Sequence, residues 1–224
     1  MNSDEQLRHD VVDALRWEPS IDPSGIEVAV MDGIVTLTGT VPAYVQKFVT
    51  ERTVKGVRGV RGVANDIWVH PPADGRRTDT EIVSAVLDTL KWDAAVPDER
   101  IKATVRDGWI ILEGTVNQQW QREAADRAIR RLVGARGVTN NIQVKPIAGV
   151  TEAAKTGIEA AIRRSAILDP TRIQVEVSDG AVVLLGEVGS FAERAEAERL
   201  AWAAPGVARV QNHIEVAPRC GCYQ

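Results

Sequence analysis

The amino-acid sequence repeats itself three times. Asp32-Gly33, Asp107-Gly108 and Asp179-Gly180 each follow a short alternating apolar run. Six residues beyond each glycine stands another, at Gly39, Gly114 and Gly186, and thirty-two residues beyond it an asparagine, at Asn65, Asn140 and Asn212. Internal periodicity constrains a fold more than any single motif does. A spacing of 72 to 75 residues is too long for one turn of a solenoid. It specifies three small globular domains in tandem, residues 1–72, 76–146 and 149–217, followed by a tail, 218–224. A domain of about 70 residues is only marginally able to bury a core, so contacts between repeats are expected to add stability.

Within each repeat the hydrophobic pattern switches period in a fixed order. Leu7, Val11, Leu15, then Ile82, Val86, Leu90, then Ala154, Ile158, Ile162 recur at helical spacing. Ser3 with Gln6 and Thr78 with Glu81 fit capping boxes at the starts of the first two helices, and Thr151 can cap the third. Alternating runs follow: Ile26, Val28, Val30; Ile101, Ala103, Val105; Ile173, Val175, Val177. Asp-Gly then supplies the positive φ values of a two-residue hairpin turn. Such a turn sets Val30 opposite Val35, Val105 opposite Ile110 and Val177 opposite Val182, all on one apolar face. The second strand ends at Gly39-Thr-Val41, Gly114-Thr-Val116 and Gly186-Glu-Val188. A second helix comes next, capped in the third copy by Ser190 with Glu193, and is expected to close at Gly59, Gly134 and Gly206. A last strand carries Val-x-Asn-x-Ile-x-Val, as in Val63 to Val69, Val138 to Val144 and Val210 to Val216. The fold class is α+β: α-β-β-α-β in each copy, a three-stranded sheet covered on one face by two helices. Pro71-Pro72-Ala-Asp-Gly75 and Lys145-Pro-Ile-Ala-Gly149 are the linkers.

This pattern resembles the BON domain, named from bacterial osmotically inducible and nodulation proteins. The residues that carry the resemblance are the Asp-Gly turns, the following Gly-x-Val and the Gly-Val pairs Gly59-Val60, Gly137-Val138 and Gly206-Val207. The Val-x-Asn-x-Ile-x-Val strands complete it, over about residues 5 to 217. The resemblance implies a non-enzymatic module tied to osmotic or envelope stress that contacts phospholipid surfaces or partner proteins. Many members of that family are exported.

Composition narrows the alternatives. Hydrophobic residues make up 44% and charged residues 26%, ordinary values for a globular protein. A net charge of −4 argues against a bulk nucleic-acid binder. Gly59-Val-Arg-Gly62 and Gly134-Ala-Arg-Gly137 are similar to a backbone-clamping Gly-x-x-Gly loop, but they lie between helix and strand, and the third copy has none. The polar, acidic start Met1-Asn-Ser-Asp-Glu-Gln lacks a basic-then-apolar leader, and no run approaches the roughly 18 apolar residues of a span. The expectation is a cytoplasmic protein without a transmembrane segment.

No catalytic, metal or cofactor residues are expected. The phosphate-loop, zinc-protease and nucleophile-elbow motifs are absent from the sequence, and His9, His70 and His213 fall at unrelated places in the repeats. Cys220 and Cys222 sit outside every repeat, two thiols with no third ligand nearby, and read as free thiols of a mobile tail. Asn65, Asn140 and Asn212 read as structural amides on the inward side of a strand start, satisfying backbone groups.

Two surfaces remain. Lys55, Arg58 and Arg61 cluster after the second helix of copy one, and Arg130, Arg131 and Arg136 in copy two; Trp202 and Ala208 stand at aligned places in copy three. These cations suit a phosphate or lipid headgroup, or complement the negative end of a helix dipole. The outward sheet face carries Met31, Ile34 and Trp68 in copy one, Arg106, Trp109 and Ile111 in copy two, Val183 and Leu185 in copy three. Large apolar groups on an open antiparallel face imply a cover, either a neighbouring domain of the same chain or a partner. Trp17 and Trp92, just after the first helices, read as edge-of-core anchors. The functional expectation is a stress-associated binding protein acting on an anionic phospholipid surface or a partner protein; a small-ion or small-ligand sensor is the alternative.

Overall fold

The computed structural model describes residues 4–145, 152–178 and 181–217. The turn Asp179-Gly180, the caps at Ser3 and Thr151, the linker after Lys145, and Cys220 and Cys222 lie outside the described residues. The first repeat runs α1 (Asp4–Trp17), β1 (Ile26–Met31), β2 (Ile34–Val41), α2 (Tyr44–Lys55) and β3 (Gly62–Val69). The second runs α3 (Asp79–Trp92), β4 (Ile101–Arg106), β5 (Trp109–Val116), α4 (Gln119–Ile129) and β6 (Gly137–Val144). The third runs α5 (Glu152–Arg164), β7 (Ile173–Ser178), β8 (Ala181–Val188), α6 (Phe191–Trp202) and β9 (Arg209–Val216). Each repeat has its own three-stranded sheet, with the second strand in the middle.

The chain divides into two compact units, Met1–Gly39 with Val49–Asp66 and Ala148–Gln224, and Thr40–Phe48 with Ile67–Ile147. In the first unit, α1 packs on β1 and buries Leu7, Val11 and Leu15. In the same unit α5 and α6 lie on β7, β8 and β9 around Ile158, Ile162, Leu184, Ala197, Ala201 and Ile214. In the second unit α3 and α4 pack on each other and on β4, β5 and β6. Ile110 and Leu112 on β5 are fully buried there, and Trp109 on the other face is exposed.

The hairpin registers follow from the turns. Val30 pairs with Val35, Val105 with Ile110 and Val177 with Val182. Asp32 and Gly33 have φ of 52° and 76°, and Asp107 and Gly108 have 50° and 76°, the doubly positive pair that matches strand twist. The glycine of Gly-x-Val has a different role. A Cβ on Gly39, Gly114 or Gly186 would stand 2.0, 2.1 or 2.0 Å from the carbonyl oxygen of Gly25, Arg100 or Arg172. The entry to the first strand therefore crosses the second strand too closely for any side chain.

Two expectations need correction. The sheet is mixed rather than antiparallel: β4–β5 and β7–β8 are antiparallel, whereas β5–β6 and β8–β9 are parallel. A helix between two neighbouring strands returns the chain in the same direction, which makes the pair parallel. The second helices also end earlier than Gly59, Gly134 and Gly206, at Lys55, Ile129 and Trp202. Those glycines sit in the turn that follows, and Gly137-Val138 opens β6 instead of aligning with Gly59-Val60.

The repeated asparagines tie the second helix to the last strand. Asn140 Nδ2 donates to the Arg122 carbonyl at 3.1 Å, and its Oδ1 accepts the Ile142 N–H at 3.1 Å. Arg122 answers with a 3.0 Å bond to the Asn140 carbonyl. Asn212 repeats this with Arg194 and Ile214, and also donates to Glu198. These residues are half-buried and mid-strand, not at a strand start. The bonds occupy backbone groups on an edge strand that would otherwise be free to pair with another chain.

Asn140→Ala is expected to lower unfolding free energy by about 2 kcal/mol, because the Ile142 N–H and Arg122 carbonyl lose their partner. Asn141→Ala, at an exposed neighbour, should stay within about 0.5 kcal/mol of wild type. Urea unfolding of both variants checks this; equal losses would contradict the assigned role.

Candidate functional site

The hairpin tip of each of the first two repeats is held by a carboxylate that the sequence reading missed. Asp79, the first residue of α3, accepts the Asp107 N–H at 2.8 Å and the Gly108 N–H at 2.9 Å. Asp4 at the start of α1 accepts the Asp32 N–H at 2.8 Å and the Gly33 N–H at 3.1 Å. Thr151 stands at the matching place in the third repeat. A signal was present: both aspartates precede their turn by 28 residues. Nothing in a one-dimensional pattern says that a helix start meets a turn. The Asp79 position is itself fixed by the capping box of Thr78 and Glu81. The Thr78 backbone and hydroxyl donors hold the Glu81 carboxyl below its ordinary range.

Around each clamped turn stand exposed apolar and basic side chains. In the first repeat Met31 and Ile34 flank the turn and Arg61 bonds to it, and exposed Arg58 is carried by the loop whose Gly59 carbonyl lies against Gly33. The Arg61 N–H continues the ladder to the Gly33 carbonyl at 2.8 Å, and its stem lies against Gly33. In the second repeat Arg106 and Trp109 flank the turn and Arg136 bonds to it, and exposed Arg131 and Val133 are carried by the loop whose Gly134 carbonyl lies against Gly108. The Arg136 N–H likewise reaches the Gly108 carbonyl at 2.9 Å. Trp109 pairs across β4–β5 with Arg106 and donates its indole N–H to Thr139 Oγ1 at 2.8 Å. Its ring lies over Gly137, where a Cβ would come within 2.4 Å of it. In the third repeat, Ser178, Ala181, Pro205 and Ala208 stand where the first has Met31, Ile34, Arg58 and Arg61.

The six basic residues do not act alike. Arg58, Arg61, Arg131 and Arg136 are exposed. Lys55, in the last turn of α2, pairs with Glu51 at 2.5 Å. Arg130 at the end of α4 pairs with Asp126, and its guanidinium lies 3.5 Å over the Phe48 ring. Burial raises the Asp126 carboxyl above its ordinary 3.8, outweighing the pull of Arg130. Because its folded value is raised, this group favours folding at low pH. That contribution is lost as pH rises through the folded value.

The apolar sheet-face residues are not all covered either. Trp68 is 77%, Met31 71% and Trp109 47% exposed. Ile111, Val183 and Leu185 are half-buried. Trp17 and Trp92, at the ends of α1 and α3, are 87% and 88% exposed. They are therefore not edge-of-core anchors. Trp202 packs against the buried cluster of the third repeat. Among the described residues no three of His, Cys, Asp and Glu gather where they could hold a metal ion, and no helix is long and apolar enough to cross a membrane.

A protein-family model, the BON domain, matches residues 3–71, 78–146 and 151–218. The chain belongs to the BON-domain family. Osmotically-inducible protein Y of Escherichia coli K12 is 29% identical over 136 residues, covering 59% of this BON-domain chain and 68% of that protein. Solved structures of CdsD, a structural protein of the type III secretion system of Chlamydia trachomatis, also align. One covers 94% of this chain and 91% of that one at 13% identity and a TM-score of 0.27. The other, a C-terminal domain, covers 95% and 98% at 14% identity and 0.26. At those scores the likeness says nothing about function.

If Arg130 is spent on internal contacts, Phe48→Ala and Arg130→Ala should be coupled in stability. A double-mutant cycle is expected to give a coupling of about 1 kcal/mol. Strictly additive losses would show that the ring and the guanidinium do not interact.

Proposed function

We propose that this BON-domain protein is a non-enzymatic, stress-associated binding protein that docks on anionic phospholipid surfaces through the hairpin tips of its first two repeats. The observation that carries this reading is the pairing of exposed apolar and exposed basic side chains around each clamped turn. Trp109 with Arg106, Arg131 and Arg136, and Met31 and Ile34 with Arg58 and Arg61, are the two sets. An apolar group that enters the headgroup layer gains from leaving water, and cations beside it gain from the negative surface potential. The overall charge of −4 does not oppose this, because what acts at a surface is the local charge within a Debye length. The association with osmotic stress is supported by the name of the Escherichia coli relative. With the repeats taken as 1–72, 76–146 and 149–217, the third serves another purpose, since its tip lacks every one of these side chains. The cytoplasmic location expected from the sequence belongs to this proposal and is checked by cell fractionation.

A second reading, a sensor of a small ligand or ion, is favoured by one groove of about 650 Å³ in the first unit. It is lined by Asp32, Ile34 and Arg61 of the first repeat and by Phe191, Arg194 and Glu215 of the third. A ligand seated there would raise the melting temperature. A partner protein is the remaining occupant of the tips, and would bind them without regard to vesicle charge.

Vesicle flotation separates these readings. Wild type should float with phosphatidylglycerol vesicles and not with phosphatidylcholine vesicles, and raised salt should release it. Each cation near an anionic surface is worth about 1 kcal/mol. Replacing Arg58, Arg61, Arg131 and Arg136 together by Ala should thus abolish flotation, while Arg130→Ala should leave it near wild type. Equal flotation of the fourfold variant and wild type would overturn the proposal.

A further inference from the structure

We propose that Asp107-Gly108 is a site of spontaneous isoaspartate formation that the Asp79 carboxylate holds in check, and that Asp4 does the same for Asp32-Gly33. Asp-Gly is the dipeptide in which this chemistry meets least steric resistance, since glycine presents no side chain beside the attacking amide. In the reaction the Gly108 nitrogen attacks Cγ of Asp107. The amide proton and the hydroxyl of the protonated carboxyl leave as water, and a five-membered succinimide remains. Water then opens either carbonyl, returning aspartate or giving isoaspartate, so the net change is an isomerisation that consumes nothing. The Asp107 side chain is exposed to water, as the reaction needs. The nucleophile is not free. The Gly108 N–H is buried and directed at Asp79 Oδ1 at 2.9 Å, with the Asp107 N–H on Oδ2 at 2.8 Å. Two consequences follow. The amide must break a charge-assisted hydrogen bond before it can attack. Its loss of a proton is also opposed by the negative charge next to it. The same two bonds stand at 2.8 and 3.1 Å between Asp4 and the Asp32-Gly33 turn.

Isoaspartate adds one carbon to the main chain inside a two-residue turn. That length cannot close the Arg106–Trp109 pair or keep the Arg136 N–H on the Gly108 carbonyl at 2.9 Å. The clamp therefore preserves the tip chemically as well as mechanically, whatever the tip binds.

The repeat supplies its own control. Full-length wild type, Asp79→Ala, Asp79→Asn and Asp4→Ala proteins are aged at neutral pH and physiological temperature. Isoaspartate at positions 32 and 107 is then quantified by peptide mapping. Losing one charge-assisted hydrogen bond from the reacting amide corresponds to roughly a tenfold change in rate. Asp79→Ala should raise isoaspartate at 107 by about that factor and leave position 32 at its wild-type level; Asp4→Ala should do the reverse. Asp79→Asn, which keeps a neutral acceptor and the same volume, should fall between, and it carries the test if the alanine variant does not fold. Isoaspartate at 107 unchanged by either Asp79 variant would overturn the proposal. So would a rise at both turns together in either single variant, because general loosening and not the clamp would then set the rate.

Discussion

A single hydrogen-bonded contact organises the first two repeats: the carboxylate at the start of the first helix gripping both amides of the hairpin turn. A two-residue turn with both φ values positive closes a hairpin in one register only. Fixing its amides fixes which strand residues face the helices. The same bond sets the phase of the helix, because Asp79 can reach the turn only if Ile82, Val86 and Leu90 point at the sheet. Local turn chemistry, strand register and helix packing are thereby satisfied by one geometry, the agreement across levels that gives a sequence a unique fold.

The remaining contacts close the layer from the other side. Asn140 and Arg122 exchange bonds between the second helix and the last strand, and Asn212 with Arg194 does the same in the third repeat. In the second repeat, one polar pair pins the first helix to the tip and another pins the second helix to the sheet edge. Between them lies an apolar layer that includes Ile82, Leu90, Ile110, Leu112 and Ile129. Surfaces not used by these contacts are free to differ, and they do. Trp109 and Ile34 occupy equivalent places, as do Arg136 and Arg61, whereas the third repeat has alanine at both. The duplicated scaffold thus carries two equipped tips and one bare one.

Much of this was legible in the sequence, and the reason is periodicity. The stripes Leu7, Val11, Leu15 and their counterparts, the Asp-Gly turns and the cross-strand pairs are local patterns with a period of their own, and three copies remove accidents. What escaped depends on distance. The direction of β6 beside β5 follows from how the chain returns, not from the residues of either strand. The Asp79 clamp joins residues 28 apart. Arg130 and Arg131 are neighbours in sequence, yet one is folded over Phe48 beside Asp126 and the other is exposed. Arg130 is the C-terminal cap of α4, bonded back to Asp126, whereas Arg131 lies beyond the helix in the turn that follows. The tryptophans failed for a related reason: alternation tells which face of a strand Trp68 occupies, but not whether anything lies over that face.

The central claim is that the clamped tips of the first two repeats, and not the third, are the binding surface. Amide NMR of the full chain titrated with phosphatidylglycerol bicelles tests it at single-residue resolution. The account predicts selective broadening at Met31 to Ile34, Arg58 to Arg61, Arg106 to Trp109 and Arg131 to Arg136. The indole signal of Trp109 should move with them, and β8 and β9 should stay unperturbed. Perturbation concentrated in the third repeat, or none at bicelle concentrations that co-sediment the protein, would contradict it.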